Sequence, residues 1–445
     1  MTNVIYTVQP GGNLRGKVRV PGDKSISHRS IMLGSLAEGV TEVTGFLEGE
    51  DSLATLQAFR DMGVQIEGPD AGRVVIHGVG LHGLKEPAEA LYLGNSGTSM
   101  RLLSGLLAGQ KFSTHLTGDS SLSGRPMRRV TEPLAQMGAV IGTTEKGTAP
   151  LHIYGEQKLK GIEFNMPMAS AQVKSCLLLA GLYAEGRTCV TEPAPTRDHT
   201  ERMLAGFGYP VERTFRETFR EKNGATVCVQ GGGKLTATNV EVPADISSAA
   251  FFMVGACISA GSDLLLEHVG INPTRIGVIN ILRQMGADLR LENEREVGGE
   301  PVADIRVRAA KLKGIRIPED QVPLAIDEFP VLFVAAACAE GETVLTGAHE
   351  LRVKESDRIQ VMADGLQALG VDARPTEDGM IIRGGPIGSG RIDSHGDHRI
   401  AMSFTMAALR AAGPIVIDDC ANVNTSFPGF VELARGAGIK ISAEC

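Results

Sequence analysis

The chain has 445 residues, with 44 Lys and Arg against 52 Asp and Glu, and a formal net charge of -8 at pH 7. Its length exceeds the roughly 250 to 300 residues at which single hydrophobic cores stop growing, so we expect two or three domains. The negative charge argues against nucleic acid or acidic membranes as partners, because binding to them needs a basic face, although local basic clusters can still bind small anions.

Several features indicate the compartment. The first 15 residues lack a basic stretch followed by a long apolar run, and no segment offers about 18 uninterrupted apolar residues. The seven cysteines are scattered and never spaced as a metal or redox pair. We therefore expect a soluble cytoplasmic protein with reduced, structural thiols. The cysteines are Cys176, Cys189, Cys228, Cys257, Cys338, Cys420 and Cys445.

A first pattern recurs six times: a polar cluster, about ten small or apolar residues, then a glycine. The closing glycines are 70, 77, 75, 80 and 72 residues apart. Because the apolar residues cover nearly the whole helix surface, we predict six interior helices, each ended by its glycine in a left-handed cap. The segments are Lys24 to Gly39, Asn95 to Gly109, Ser170 to Gly186, Asp245 to Gly261, Asp327 to Gly341 and Asp397 to Gly413.

A second pattern alternates with the first: an amphipathic helix, a glycine and a short strand, as in Leu56 to Ile66 and Leu134 to Ile141. It recurs around Gly208, Gly286, Gly370 and Gly438. A unit of about 75 residues is too small to close its own core, so three units should stack into one domain.

The six units predict an α/β fold of two domains. We expect residues 21–241 to form one domain, and residues 1–20 with 242–445 to form the other. A first strand, Val8 to Val20, precedes the first repeat and could pair with either half.

The start of a buried helix needs an anion or polar caps, because its first N–H groups lack partners and carry about half a positive charge. The first start contains Lys24, Ser25 and Arg29. Serine caps beside solvated basic residues would leave two positive charges opposed to the helix dipole. A bound anion resolves this conflict.

The second and third starts allow both capping and anion binding. Gly97 lets a ligand approach the backbone, with Arg101 one turn into the helix. Arg125 precedes a proline that can begin the next helix, whereas we expect Arg128 on the surface. Ser170, Gln172 and Lys174 occupy the third start, and Arg197 lies in a nearby turn. The fourth start, at Asp245, offers no cation and has the composition of a plain cap.

In the second half, Asp327 is either a helix cap or a general base whose pKa is raised by burial. Lys354 and Arg358 have the i,i+4 spacing of one helix face, with Glu355 beside them, which is also compatible with a solvated charged helix. Arg399 follows a stretch rich in His and Asp that could in principle bind a metal. Its position at a helix start favours an anion site.

A net-acidic chain thus gathers cations at equivalent points of its repeats. Guanidinium groups suit phosphate and carboxylate, and the interleaved Ser, Gln and Asp side chains suit sugar-like hydroxyls. We therefore expect two domains that close on substrates bearing phosphates, a carboxylate and hydroxyls.

The stretch Pro21 to Arg29 resembles the amino-terminal signature of the 5-enolpyruvylshikimate-3-phosphate synthase family, and the likeness extends over essentially the whole chain. It implies two domains, each of three βαβαββ repeats around buried helices (an inside-out α/β barrel), with the active site in the cleft between them. It also implies a cytoplasmic monomer without metal or organic cofactor. Further matching motifs are Asn95 to Thr98, Arg125 to Met127, Ser170 to Gln172, Lys354 to Arg358 and Asp397 to Arg399.

The resemblance implies transfer of the enolpyruvyl group of phosphoenolpyruvate to the 5-hydroxyl of shikimate 3-phosphate. Asp327, Glu355 and Lys24 would be the catalytic, proton-transferring residues. The residues implied for shikimate 3-phosphate are Lys24, Ser25, Arg29, Ser170, Gln172, Arg197, Asp327 and Lys354. The residues implied for phosphoenolpyruvate are Lys24, Gly97, Arg125, Gln172, Arg358 and Arg399.

Some positions depart from the common family pattern. Thr425 stands where many members have Lys, and Glu350 where Asn is common, so the contacts there are open. Ala171 and the stretch Arg197 to Thr200 resemble a divergent bacterial subgroup. The family is the target of glyphosate, and Gly97 leaves room for it.

Two alternatives have other functions. The sister enzyme that acts on UDP-N-acetylglucosamine shares the fold, but its loop usually carries a reactive Cys, and residues 113–130 contain none. A non-catalytic anion-binding or RNA-binding repeat protein would predict a broad basic face and stacking aromatics, against a net charge of -8 and 4% aromatic residues.

Overall fold

The six predicted interior helices are all present in the computed structural model, which describes residues 4–217 and 222–444. They are α1, α3, α6, α8, α10 and α12, and nearly all their residues are buried, as their apolar surfaces require. The α-helices of the described residues are α1 (Lys24–Leu36), α2 (Glu50–Asp61), α3 (Gly97–Ala108), α4 (Ser120–Ser123), α5 (Arg128–Gln136), α6 (Ala171–Gly181), α7 (His199–Gly206), α8 (Ile246–Ile258), α9 (Gly277–Gln284), α10 (Phe329–Ala337), α11 (Arg358–Ala368), α12 (His398–Ala407) and α13 (Phe430–Ala437).

The strands alternate with these helices. In chain order they are β1 (Ile5–Val8), β2 (Arg15–Val18), β3 (Ala37–Thr44), β4 (Gln65–Asp70), β5 (Arg73–Val79), β6 (Leu91–Tyr92), β7 (Thr114–Thr117), β8 (Ile141–Gly142), β9 (Leu151–Ile153), β10 (Glu163–Asn165), β11 (Arg187–Glu192), β12 (Val211–Glu217), β13 (Lys222–Gln230), β14 (Leu235–Thr236), β15 (Val240–Glu241), β16 (Asp263–Gly270), β17 (Asp288–Val297), β18 (Glu300–Arg308), β19 (Glu342–Leu345), β20 (Asp372–Pro375), β21 (Met380–Arg383), β22 (Gly390–Asp393), β23 (Ile415–Asp418) and β24 (Ile441–Glu444).

Among the described residues, contacts separate two compact units, each with its own hydrophobic core. The first unit is Gly22–Val242, and the second comprises the described residues before and after it. The first unit has three sheets, ordered β14-β3-β5-β4 (with β15 also on β3), β6-β7-β9-β8 and β10-β11-β13-β12. The second also has three, ordered β2-β16-β18-β17, β19-β21-β20 and β22-β23-β1-β24.

The sheets share one plan. In five of them a parallel edge pair is followed by two antiparallel pairs. In the sixth, a parallel bridge between Arg316 and Val344 takes the place of the parallel edge strand. Each interior helix packs on strands of its own repeat and also on other interior helices of its unit. The predicted α/β fold of repeated units is confirmed.

Two details of the sequence prediction are wrong. Val8 to Val20 is not one strand, because it is broken into β1 and β2, which join two different sheets of the second unit. The left-handed glycine cap belongs to the other class of helix. The six glycines that follow the amphipathic helices have positive φ. Of the glycines predicted to cap the interior helices, Gly39, Gly186, Gly261 and Gly341 also have positive φ but lie beyond the residue that caps the helix, whereas Gly109 has φ -90°.

The prediction of reduced thiols is wrong for two cysteines. Cys189 on β11 lies directly opposite Cys228 on β13, and the two form a disulfide. They are 39 residues apart in sequence, so only the antiparallel pairing brings their sulfurs together. Cys176, Cys257, Cys338 and Cys420 are free thiols, and burial raises the pKa of Cys257 to about 12. Cys445 lies outside the described residues.

Within the described ranges, no helix is both long and apolar enough to cross a membrane.

Candidate functional site

The starts of the three interior helices of the first unit converge. His28 Nδ1 on α1 lies 3.3 Å from Ser99 Oγ on α3. Gln172 Nε2 at the start of α6 donates to Thr98 Oγ1 on α3 at 3.1 Å. The start of α3 therefore contacts the starts of both α1 and α6 in this unit.

Lys24 opens α1 next to its capping residue. The Asp23 carboxylate accepts the backbone N–H of Ile26 at 2.9 Å and caps the helix. Lys24 Nζ forms an ion pair with Asp51 on α2, and its side chain is 22% exposed. Asp51 is 4% exposed and was not among the predicted site residues. Lys24 therefore presents a partly accessible ammonium group beside a buried carboxylate.

Arg29 is placed differently from Lys24, because its guanidinium points into the unit and is only 4% exposed. It donates to the Ser25 carbonyl at 2.9 Å, to Ser175 Oγ at 2.9 Å and to Thr200 Oγ1 at 2.7 Å. These contacts join α1 to α6 and α7. Ser25 is half-buried at the helix start.

His28 is fully buried between these cations. Its Nδ1 lies 2.7 Å from Thr55 Oγ1 on α2. Burial, followed by the charges of Lys24 and Arg29, holds the pKa of His28 well below its ordinary value. A neutral imidazole therefore links α1, α2 and α3 at neutral pH.

Gly97 and Arg125 form the centre of the second start. Arg125 donates to Asn95 Oδ1 at 2.7 Å, and Asn95 Nδ2 donates to Asp119 Oδ2 at 2.8 Å. A Cβ atom at Gly97 would lie 3.0 Å from Arg125 Nη1, so the absence of a side chain leaves room for the guanidinium. Arg128 is exposed, as predicted.

Gln172 is held at both ends of its amide. Its Oε1 accepts a short hydrogen bond from Arg101, and its Nε2 donates to Thr98. Arg101, buried one turn into α3, thus orients Gln172. Ser170 caps α6 by accepting the N–H of Val173 at 3.4 Å.

Lys174, which follows at the same start, has a structural position. It is fully buried and pairs with Glu192 at 2.9 Å and Glu201 at 2.7 Å. Arg197 lies half-buried in the turn before α7, next to Asp198, which pairs with Arg213 at 3.0 Å.

The starts of α8, α10 and α12 in the second unit are joined by acidic and basic side chains. Ser247 on α8 donates a short hydrogen bond to Glu328, the residue before α10. Arg399 Nη1 on α12 lies 3.9 Å from Glu328 Oε1. The three starts therefore converge here as well.

Arg358 is surrounded by carboxylates and is 1% exposed. Its distances are 2.8 Å to Asp397, 2.6 Å to Glu355 and 3.3 Å to Asp327. Burial lowers the pKa of Arg358, but the negative charges of Asp397, Glu355 and Asp327 raise it by more. The net pKa is therefore raised. Burial raises the pKa of Asp397, but the positive charge of Arg358 lowers it by more, so the net pKa is lowered. Arg358 and Asp397 are therefore both charged.

Lys354 is not on a helix with Arg358, contrary to the prediction. It follows a short 3₁₀ turn, His349–Val353, and α11 begins only at Arg358 because Asp357 caps it. The two cations nevertheless meet at Asp327, where Lys354 Nζ lies 3.4 Å from Oδ1. Lys354 also pairs with Glu350 at 2.8 Å.

The N-cap residue of α10 is Glu328, so Asp327 lies one residue before the cap position. Its carboxylate is 14% exposed and faces Lys354 and Arg358. Of the two sequence-based interpretations, the position of Asp327 therefore disfavours the helix cap. The Glu355 side chain is 24% exposed and that of Arg399 13%.

The fourth helix start has a cation that the sequence analysis missed. Arg275 is 3% exposed and donates to Asp245 Oδ1 at 3.0 Å and to Ser247 Oγ at 2.5 Å. It comes from a loop 30 residues after the cap, so no local pattern could assign it to this start. Asp245 still caps α8 by accepting the Ser247 N–H at 2.8 Å.

The stretch before α12 does not form the alternative metal site. Asp397 is engaged by Arg358, and His395 is exposed with φ 51°. In the part of the chain that the structure describes, no group of three or more His, Cys, Asp or Glu side chains is arranged to hold a metal ion. Thr425 is 4% exposed and donates to the Asn422 carbonyl at 2.7 Å.

Comparisons with known proteins agree over the full chain. Residues 8–433 match the family model of EPSP synthase (3-phosphoshikimate 1-carboxyvinyltransferase). The chain is 73% identical to the 3-phosphoshikimate 1-carboxyvinyltransferase of Methylococcus capsulatus over 99% of this chain and 98% of that protein. It is 72% identical to that of Nitrosococcus oceani, over 98% and 96%.

Solved structures agree with these sequence matches. EPSP synthase from Acinetobacter baumannii superposes with a TM-score of 0.87 at 64% identity, covering 99% of this chain and all of that one. The enolpyruvyl transferase NikO from Streptomyces tendae has a TM-score of 0.78 at 17% identity, with 99% of each chain covered, and shares the fold.

Proposed function

Because this chain belongs to the EPSP synthase family, we propose that it is a 3-phosphoshikimate 1-carboxyvinyltransferase, a transferase of aromatic amino acid biosynthesis. It joins the enolpyruvyl group of phosphoenolpyruvate to the 5-hydroxyl of shikimate 3-phosphate and releases phosphate. The observation that supports this best is that the buried helix starts of each unit contact one another, with predicted substrate-binding residues at five of the six starts.

The reaction is an addition followed by an elimination. The 5-hydroxyl oxygen adds to the central carbon of phosphoenolpyruvate and loses its proton, while the methylene carbon gains one. The tetrahedral intermediate then breaks its bond to the phosphate oxygen. Loss of a proton from the new methyl group restores the double bond.

We assign the proton from the 5-hydroxyl to Asp327, and the transfers at the methylene carbon to Glu355 and Lys24. Each of these side chains is partly exposed, at 14%, 24% and 22%, and so is accessible to a ligand. A positioned acid or base of this kind contributes about 10²- to 10⁴-fold.

We propose that the two substrates share Lys24 and Gln172. A partly exposed cation that is held by a fixed partner can bind phosphate or carboxylate without reorganisation. Arg125, which donates to Asn95, is an example. The further residues proposed for shikimate 3-phosphate are Ser25, Arg29, Ser170, Arg197, Asp327 and Lys354. The further residues proposed for phosphoenolpyruvate are Gly97, Arg125, Arg358 and Arg399.

In this proposal, a buried arginine binds a substrate anion when that anion replaces one of the carboxylates that pair with the arginine. Arg358 is almost fully enclosed, so an anion reaches it by replacing Glu355, which lies 2.6 Å from its Nη2. That exchange would release Glu355 for proton transfer when phosphoenolpyruvate binds. The proposal places the enzyme in the cytoplasm as a monomer that needs no metal or organic cofactor.

Phosphate release tests this function directly. Purified, chelator-treated protein is given phosphoenolpyruvate with shikimate 3-phosphate, and separately with UDP-N-acetylglucosamine. We expect release only with shikimate 3-phosphate, at a rate that the chelator leaves unchanged. Release only with the nucleotide sugar would assign the chain to the sister activity. No release with either, from correctly folded protein, would refute the transferase.

A further inference from the structure

Glu328 is a buried carboxylate with no role in the proposed substrate contacts. It is 2% exposed and directly precedes α10. As the N-cap residue it makes no side-chain hydrogen bond to the helix. A charged group removed from water in this way needs partners elsewhere.

Its partners lie on the other two helix starts of the second unit. Oε1 accepts the hydroxyl hydrogen of Ser247 and lies 3.9 Å from Arg399 Nη1. Ser247 in turn accepts from Arg275, which also pairs with Asp245. Two acids and two arginines thus alternate in one connected group, in which each charge has an opposite neighbour.

The neighbouring residue, Asp327, serves different cations. Its carboxylate faces Lys354 and Arg358, whereas Glu328 faces Arg399. Arg358 has its own buried carboxylate partner in Asp397. Both arginines assigned to phosphoenolpyruvate in this unit therefore have a buried acid beside them.

We propose that Glu328 is a positioning residue for Arg399, which orients its guanidinium toward phosphoenolpyruvate; this inference rests on the proposed function. Ser247 fixes one oxygen of Glu328, and the same oxygen faces Arg399, so the acid has little freedom to turn away. Arg399 is 13% exposed, which leaves it accessible to an anion while one side faces Glu328. Fixing a long side chain before the ligand arrives reduces the ordering cost of binding.

The variant Glu328→Gln separates charge from shape. Gln keeps an oxygen that can accept from Ser247 but removes the charge that faces Arg399. We expect the KM for phosphoenolpyruvate to rise about tenfold, with kcat and the KM for shikimate 3-phosphate within about twofold of wild type. Glu340→Gln is the matched control, because Glu340 is exposed just beyond the other end of α10, and its KM values should not change.

A double-variant cycle tests whether Glu328 acts through Arg399. In an Arg399→Gln background, the added Glu328→Gln change should leave the KM for phosphoenolpyruvate where Arg399→Gln alone puts it. An unchanged KM in the single variant would overturn the inference. So would additive effects in the double variant, or a loss shared equally by both substrates together with a lower melting temperature.

Failure of the proposed function has a different signature. If wild-type protein releases no phosphate, calorimetric titration of wild type and Glu328→Gln with phosphoenolpyruvate decides the inference by itself. About tenfold weaker binding by the variant supports it, and equal binding overturns it.

Discussion

Arg358 and Asp397 form an ion pair in which both side chains are almost completely buried, with Arg358 Nε 2.8 Å from Asp397 Oδ2. Asp397 also caps α12 by accepting the backbone N–H of Arg399 at 2.9 Å. One carboxylate thus joins the start of α11 to the start of α12. Its removal should affect stability as well as the site.

Asp397→Asn tests that relationship. Asn can still cap the helix, but it leaves the buried charge of Arg358 without its closest partner. Breaking such a pair typically costs about 3 to 5 kcal/mol, so we expect the free energy of unfolding to fall by about that amount. Urea unfolding followed by circular dichroism measures it. Asp364→Asn, at an exposed position on α11, should cost far less, and an equal loss in the two variants would contradict the prediction.

Asp327→Asn should abolish most turnover, although both substrates should still bind. The carboxylate faces Lys354 and Arg358, and as a general base it would contribute at least about 100-fold to kcat. Steady-state phosphate release gives kcat, and calorimetry with each substrate shows whether binding persists. Asp320→Asn, at a nearby exposed residue, is the control. Near-normal turnover with both substrates bound would show that Asp327 is not the base.

Gly97→Ala should weaken phosphoenolpyruvate binding without harming the fold. The new methyl group would lie 3.0 Å from Arg125 Nη1, closer than ordinary contact, so the guanidinium, which also donates to Asn95, would have to shift. We expect the KM for phosphoenolpyruvate to rise about tenfold, with an unchanged KM for shikimate 3-phosphate.

Gly206→Ala is the control for this prediction, because a Cβ there meets nothing within 4 Å and the residue also lies in a helix. Its kinetics should match wild type. If Gly97→Ala also leaves both KM values unchanged, Arg125 is either able to move at no cost or not a ligand.

The repeat architecture could be predicted from the sequence because burial acts on local composition. A helix such as α10, apolar on every side, has only one stable environment, and its length and spacing are visible in the chain. The polar clusters at the starts were visible for the same reason. They interrupt otherwise apolar segments, so Lys24 and Asp327 could be singled out.

Contacts made by distant residues could not be predicted in this way. Arg275 reaches Ser247 from 28 residues away, and Cys228 reaches Cys189 across an antiparallel pair. The direction in which a side chain points could not be predicted from the sequence either. Arg29 and Arg358 could be proposed as anion ligands from the sequence, but their burial against protein groups could not be predicted.

His28 gives a prediction about pH. Its pKa is held well below the ordinary value by burial and by the charges of Lys24 and Arg29, whereas in the unfolded chain it titrates near 6.5. Above that pH both states are neutral and His28 adds no pH dependence. Below it, only the unfolded state takes up the proton, so stability falls as the pH is lowered until the folded pKa is reached.

The variant His28→Gln removes the titrating group but keeps a polar side chain beside Thr55 and Ser99. Between pH 6.5 and 5.5 we expect the free energy of unfolding of wild type to fall by about 1 kcal/mol more than that of the variant. Urea unfolding at both pH values measures the difference, and His349→Gln, at an exposed position, should behave like wild type. Equal pH slopes for wild type and His28→Gln would mean that the folded protein takes up the proton at His28, and that a charged imidazole is tolerated between Lys24 and Arg29.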